Sequence, residues 1–279
     1  MKDWLDIECG AKISVFRTFD CGQCFRFDAV EDSRFTHRVD GIAFGRSVSF
    51  AEADGKVFVR ASEEDYNGIW KKYLSLDCDY ESYNNRIINA LEGKSREHME
   101  KAAMMSEGIR ILSQEKWETL CSFIISQNNN IPRIKKIIAA MSEKYGEKID
   151  GGYSFPTPEA VLAAGVDGLT ELRTGFRAKY IFDAAKKVAE GEIDLSEIAE
   201  MKDYSDAEAE LLRISGVGPK VAACTLLFGF GRLDAFPIDV WIKRVIEKRF
   251  PDGLDPSVFG DVAGIAQQYL FYYERYIGE

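Results

Sequence analysis

Residues 206–250, DAEAELLRISGVGPKVAACTLLFGFGRLDAFPIDVWIKRVIEKRF, decide how this chain folds and where its chemistry sits. Leu211, Leu212 and Ile214 close a helical pattern that Gly216-Val217-Gly218 interrupts. Pro219 restarts a helix, because a proline at the first helical position forfeits no hydrogen bond. Val221, Ala222, Leu226 and Phe228 continue it as a buried segment. Two short helices about a Gly-Val-Gly turn make a helix-hairpin-helix over residues 206–229. With no side chains at Gly216 and Gly218, successive backbone N–H groups and the second helix's N-terminus can face an anion such as a DNA phosphate. The same turn also joins helices that merely pack.

Two neighbouring residues sharpen the reading. Lys220 lies in the first turn of the second helix, where the helix N-terminus and any desolvation favour the neutral amine that a nucleophile needs. Asp239 follows in Phe236-Pro237-Ile238-Asp239-Val240, before an apolar-basic helix over 240–250. Its carboxylate suits either a helix N-cap or the support of a cationic transition state. On these residues alone, Lys220 reads equally well as a phosphate contact and Asp239 as a cap.

GVGPKVAAC followed by FPIDV resembles the active-site segment of the 8-oxoguanine DNA glycosylase/lyase family, within the helix-hairpin-helix DNA glycosylase superfamily. Further matches upstream extend the resemblance over most of the chain. It implies that Lys220 is the amine nucleophile and Asp239 the catalytic aspartate of a bifunctional enzyme. Such an enzyme excises 8-oxoguanine, preferably opposite cytosine, forms a Schiff base and cuts the strand by β-elimination. The resemblance further implies a phosphate held at Gly216, Val217 and Gly218, with a monovalent cation on the hairpin carbonyls and no organic cofactor or catalytic metal. Iron–sulfur relatives carry four cysteines after the aspartate, whereas no cysteine here lies beyond Cys224. Two alternatives are an alkylpurine-type glycosylase, which lacks the lysine, and a nonenzymatic helix-hairpin-helix DNA-binding protein, which has no need of the Lys220–Asp239 pair.

Upstream, Gln127-Asn128-Asn129-Asn130-Ile131-Pro132-Arg133 is a polar run between apolar helices. Such a run suits a C-cap and turn, or entry into a groove to bond base edges. It is similar to the family's Asn-Asn-Asn-Ile-x-Arg segment. By that likeness Asn128 fills the gap left by the expelled base and, with Arg133, reads the widowed cytosine. Gly175-Phe176-Arg177 matches an aromatic wedge, usually tyrosine in the family, followed by the second cytosine-reading arginine. CGQCFRF at 21–27 resembles Gly-Gln-Ser-Phe-Arg-Trp, whose glycine carbonyl accepts the N7–H that distinguishes 8-oxoguanine from guanine; here that glycine is Gly22. Cys224 and Phe228 fall on base-pocket positions, Phe228 where methionine is more usual. Trp241 stands where animal and plant relatives use a histidine on the phosphate, so its contact is an indole N–H or stacking. The family's pocket-closing glutamine and phenylalanine find no clear match, so base recognition is either looser or completed by the Tyr269–Tyr276 cluster.

The rest of the chain sets an α+β class. Residues 11–60 read as strands of a small N-terminal antiparallel sheet, KISVFRTF, CFRFDAV, FTHRVDGIAFGRSVSFAEA and KVFVRA, with Asp54-Gly55 as a hairpin turn. Ser62 opens a helix as its cap, with Asp65 in the place of the usual capping-box glutamate. Helical periodicity follows almost to the end, with a last helix over 258–276. The division is thus 1–105 for the sheet with flanking helices, and 106–279 for a mostly helical glycosylase domain. A hydrophobic fraction of 46% and a net charge of −10 suit a globular protein with a small basic footprint on an acidic body. Six cysteines without a regular framework, and no signal-like N-terminus, suit a reducing intracellular compartment, the cytoplasm of a prokaryote with its nucleoid. The expected partner is double-stranded DNA containing 8-oxoguanine, met by a monomer with no membrane segment.

Overall fold

The computed structural model describes residues 4–7 and 12–277; Cys9 and residues 278–279 fall outside them. Five strands form one antiparallel sheet in the order β1-β5-β4-β3-β2, namely β1 Trp4–Asp6, β2 Phe27–Ala29, β3 His37–Ala43, β4 Arg46–Ala53 and β5 Lys56–Arg60. Asp54 and Gly55 have φ of 51° and 73°, the left-handed pair that a two-residue hairpin demands, and they set the register Ala53 opposite Lys56. Phe44-Gly45 makes a second such turn between β3 and β4, dividing the stretch 35–53 that reads as one run in the sequence. Alternation puts Val39, Val48, Phe50, Val57 and Val59 on the buried face. Phe19, Trp70 and Tyr73 cover that face, with Phe50 stacked on Tyr73 and edge-on to Trp70.

Two expectations for this region need correction. KISVFRTF is no strand: Val15–Asp20 is a helix. Ser14 caps it by accepting from the N–H of Arg17, and Val15, Thr18 and Phe19, spaced one helical turn apart, are its buried face. Four alternating residues could not outweigh a cap followed by that spacing. The sheet instead gains β1, ahead of the expected stretch, while CFRFDAV pairs only over Phe27–Ala29. Ser62 does cap the next helix through the N–H of Asp65, and the helical stretch 63–73 widens to a π turn at Tyr66–Trp70.

The helices Tyr80–Asn89 and Gly93–Met105 leave the sheet and join the helical core, where Ile87, Met99 and Ala102 are fully buried. The last helix, Ala263–Ile277, packs back on Gly93–Met105. It begins later than its periodicity suggests, because a 3-10 segment, Pro256–Val262, precedes it and is kinked at Gly260 with φ 56°. At the centre of the helical core, Lys116–Ser126 packs against Pro219–Phe230, both apolar nearly all round. Sheet and helical core are joined by a buried ion pair, Arg26 Nη1 to Glu118 Oε2 at 3.1 Å. Gln23 adds to the join: its amide donates to Thr18 and Arg110 carbonyls and accepts from the Leu112 N–H. Among the described residues no helix is long and apolar enough to cross a membrane.

Candidate active site

The helix-hairpin-helix forms as its sequence suggests. Helix Tyr204–Leu212 ends, Gly216 turns at φ 79°, and Gly218 caps helix Pro219–Phe230. Gly216 is obligatory, since a Cβ there would sit 2.3 Å from the Tyr180 ring. Val217 is buried beneath the turn, and its carbonyl accepts no hydrogen bond among the described residues. Pro219 and Lys220 then open the second helix, which points Lys220 inward over the ring of Phe123.

A cavity of about 130 Å³ opens beside Lys220. Gly22, Lys220, Cys224, Phe228 and Asp239 all line it, so five of the residues singled out in the sequence converge although they come from three distant segments. The Lys220 Nζ lies 3.4 Å from the hydroxyl oxygen of Ser126 and 5.2 Å from the centre of the Phe123 ring, which stacks on Phe228. Cys224 lies one turn along from Lys220; burial pushes its thiol up to about 11, against the pull of the neighbouring amine, so it stays protonated at neutral pH. Asp239 caps helix Val240–Arg249, its Oδ1 accepting from the Ile242 N–H at 2.7 Å. Its other oxygen takes no hydrogen bond among the described residues. Cap and cavity carboxylate are therefore one residue in two roles.

Two acceptors on residues that line this cavity have no donor among the described residues. The first is the carbonyl of Gly22, held at φ 77°. Its neighbours are both satisfied, the Cys21 carbonyl by Gln268 at 2.8 Å and that of Gln23 by Gln114 at 2.7 Å. The second is Oε1 of Gln267, a side chain 6% exposed on the last helix. Phe271, one turn further along, lines the same cavity. A glutamine and a phenylalanine thus do close the pocket, contrary to the expectation that no match exists. Of the Tyr269–Tyr276 cluster only Phe271 lines the cavity. The Tyr269 hydroxyl donates to Asn84 and that of Tyr276 to Asp20. The i, i+4 pair is visible in GIAQQYLFYY, but a helix apolar on several faces does not declare which face meets the pocket.

The second predicted set gathers on two adjoining loops. Ser126 and Ile131 line the cavity, and the loop 127–130 lies between them. Within it Asn128 is exposed at φ 47°, Asn129 bonds back to the Ile125 carbonyl, and Asn130 caps helix Ile131–Tyr145. Phe176 is 53% exposed, as a wedge needs to be and a core residue would not. Arg177 is only 2% exposed, with its guanidinium over the Phe176 ring. It donates to Gln127, to Asn128 at 2.8 Å and to Thr174 at 3.0 Å, all backbone carbonyls, and burial with nearby Arg133 lowers its pKa. Arg133 similarly reaches the Arg173 carbonyl at 3.2 Å. Trp241, 40% exposed, stands with exposed Ile238 and Val240 at the start of helix Val240–Arg249, outside the cavity lining. No group of three or more His, Cys, Asp or Glu is placed to hold a metal among the described residues.

Comparison with known proteins accords with this geometry. Residues 7–120 match the model of the 8-oxoguanine DNA glycosylase N-terminal domain, and residues 121–253 that of the HhH-GPD superfamily of base excision DNA repair proteins. An N-glycosylase/DNA lyase of Saccharomyces cerevisiae is 39% identical over 164 residues, which are 53% of this chain and 44% of the yeast protein. The chain thus spans under half of that relative's length. A solved structure of MBOgg1 in complex with a low-affinity DNA ligand superposes with a TM-score of 0.87 and 38% identity, covering 99% of this chain and 100% of that one. The Clostridium acetobutylicum 8-oxoguanine glycosylase/lyase, solved with double-stranded DNA bearing cytosine opposite 8-oxoguanine, gives a TM-score of 0.87 and 33% identity over 100% and 99% of the two chains. With both family models matched in tandem and the likeness running the length of solved relatives, the chain belongs to the 8-oxoguanine DNA glycosylase/lyase family.

Proposed function

We propose that the chain excises 8-oxoguanine from double-stranded DNA, preferentially opposite cytosine, and then cuts the abasic strand. The observation that carries this reading is the convergence in one cavity of Lys220, Asp239, Gly22 and Gln267, the last two with acceptors, Gly22 O and Gln267 Oε1, that have no donor among the described residues. The target nucleotide leaves the helix and its base enters the cavity. Gly22 accepts the N7–H that guanine lacks, and Gln267 accepts a second N–H from the purine edge. An unmodified guanine leaves the Gly22 carbonyl unpaired in a buried site, a penalty of about 1–3 kcal/mol.

The neutral amine of Lys220 attacks C1′ while the glycosidic C–N bond breaks and the base departs with its electron pair. Asp239, through the oxygen not engaged in capping, stabilises positive charge developing on the sugar. Loss of a proton from the nitrogen and opening of the sugar ring give the Schiff base. Removal of a C2′ proton then expels the 3′ phosphate. Gly216, Val217 and Gly218 hold a backbone phosphate, and the Val217 carbonyl, which accepts no hydrogen bond among the described residues, suits the monovalent cation that the family resemblance implies. Trp241 approaches the phosphate or sugar at the rim. Asn128, Arg133 and Arg177 address the opposite cytosine at O2 and N3, and Phe176 wedges the stack. On this reading the chain works as a monomer on chromosomal DNA within the cell. An alkylpurine-type glycosylase would leave the inward amine of Lys220 unused.

Borohydride trapping tests the assignment. Wild-type protein is expected to become covalently linked to an 8-oxoguanine duplex, and Lys220→Gln is expected to trap nothing. Undiminished trapping by the variant would remove Lys220 from the role.

A further inference from the structure

Ser126 is the last residue of helix Lys116–Ser126 and reaches the cavity without belonging to any motif that the sequence brings forward. Its hydroxyl donates to the Phe123 carbonyl at 2.8 Å, a back-bond within its own helix. A serine hydroxyl has one hydrogen, so toward Lys220, 3.4 Å away, its oxygen can only accept. We propose that Ser126 is a positioning residue for the nucleophile, holding one N–H of Lys220 so that the amine's lone pair faces the cavity. The proposal rests on Lys220 being the nucleophile.

A neutral amine carries two N–H bonds and one lone pair on a flexible four-carbon stem, so unguided it samples many orientations. The Ser126 oxygen fixes one N–H. The face of the Phe123 ring, its centre 5.2 Å from Nζ, attracts N–H and repels a lone pair. With both of those sides seeking hydrogen, the lone pair turns to the remaining side, where the cavity, the Cys224 thiol that pairs with the amine, and Asp239 lie. Ser126 is itself held by a helix buried along most of its length, so the acceptor is placed before substrate arrives.

The experiment is single-turnover excision from an 8-oxoguanine duplex across pH for wild type, Ser126→Ala, Ser126→Thr and Lys220→Gln, alongside affinity for a duplex carrying a tetrahydrofuran abasic analogue. Ser126→Ala is expected to lower the plateau rate by about tenfold with duplex affinity unchanged. Ser126→Thr, which keeps the acceptor, is expected to restore most of the plateau. A wild-type plateau in Ser126→Ala, beside an inactive Lys220→Gln, overturns the positioning role and leaves the nucleophile standing. A fall in duplex affinity matching the fall in rate, or no rescue by threonine, overturns it as a mere defect of the helix end. Full activity in Lys220→Gln overturns both.

Discussion

The cavity and the loop face beside it treat their polar groups in opposite ways. In the cavity, the carbonyl of half-buried Gly22 and the buried amide oxygen of Gln267 have no donor among the described residues, although Gln268 and Gln114 satisfy carbonyls on either side of Gly22. On the loop face, the donors of Arg177 are taken by carbonyls of Gln127, Asn128 and Thr174, and Arg133 bonds to Arg173. An unpaired buried acceptor costs about 1–3 kcal/mol, so a cavity that keeps the Gln267 oxygen unpaired beside the Gly22 carbonyl suits a ligand that brings donors. The loop face is braced instead: the 127–130 and 173–177 loops are tied together before any DNA arrives. A ligand in the cavity would add hydrogen bonds, whereas one on the face would have to exchange them.

The largest expected effect tests whether the cavity's charge belongs to the chemistry. Asp239→Asn keeps an N-cap of equal quality, so the melting temperature should stay close to wild type. Excision should nonetheless fall by about 100-fold, because the charge facing the sugar is gone. Near wild-type single-turnover rates would reduce Asp239 to a cap.

Next comes Gln267, where function and stability should separate. Gln267→Leu removes a buried oxygen that lacks a partner, so thermal unfolding should show no loss of stability. Excision of 8-oxoguanine should fall by about tenfold or more, in keeping with a lost hydrogen bond of roughly 1.5 kcal/mol. A destabilised variant with normal excision would make Gln267 a packing residue and dissolve the contrast between the two regions.

On the face, two arginines that the sequence treats alike should behave differently. Arg133→Ala breaks a single carbonyl contact, and it should lower excision opposite cytosine more than opposite adenine, by about tenfold. Arg177→Ala strips donors from three carbonyls and unties the loops, so it should lower the rate opposite every base and cost about 1–3 kcal/mol in urea unfolding. Equal wild-type rates opposite cytosine and adenine would defeat the cytosine-reading assignment for both.

The contrast also explains what could be read from sequence. Lys220 and Asp239 are legible because a Gly-Val-Gly turn and a proline fix local geometry around them. Phe176 and Asn128 are legible as polar or aromatic interruptions in apolar text. Ser126, Gln267 and Phe271 are not, because they lie within ordinary helical runs and acquire meaning only from the helix opposite. The burial of Arg177 is likewise a tertiary fact: nothing in Gly-Phe-Arg says that the guanidinium will turn inward onto another loop. In the sheet, KISVFRTF failed for the complementary reason, since a cap and one helical turn are brief enough to pass for alternation.

The smallest expected effect concerns the helix that feeds both regions. Lys116–Ser126 ends at the cavity and leads into the asparagine loop, and near its start Glu118 is buried against Arg26, which also bonds the Tyr153 carbonyl. Burial pushes the Glu118 carboxyl up to about 7, although Arg26 pulls the other way. Between its ordinary value of 4.5 and about 7, the folded protein therefore holds a proton that the unfolded chain has released. Stability from this group is full below 4.5 and declines as pH rises through 7, by about 1–3 kcal/mol. Glu118→Gln cannot titrate, so the difference in unfolding free energy between wild type and variant should shift in the variant's favour from pH 5 to pH 8. Subtracting the variant cancels the other carboxylates, which titrate in both proteins. If the difference stays constant over that window, the Arg26 ion pair outweighs burial, and the helix is anchored to the sheet by a charged pair at every working pH.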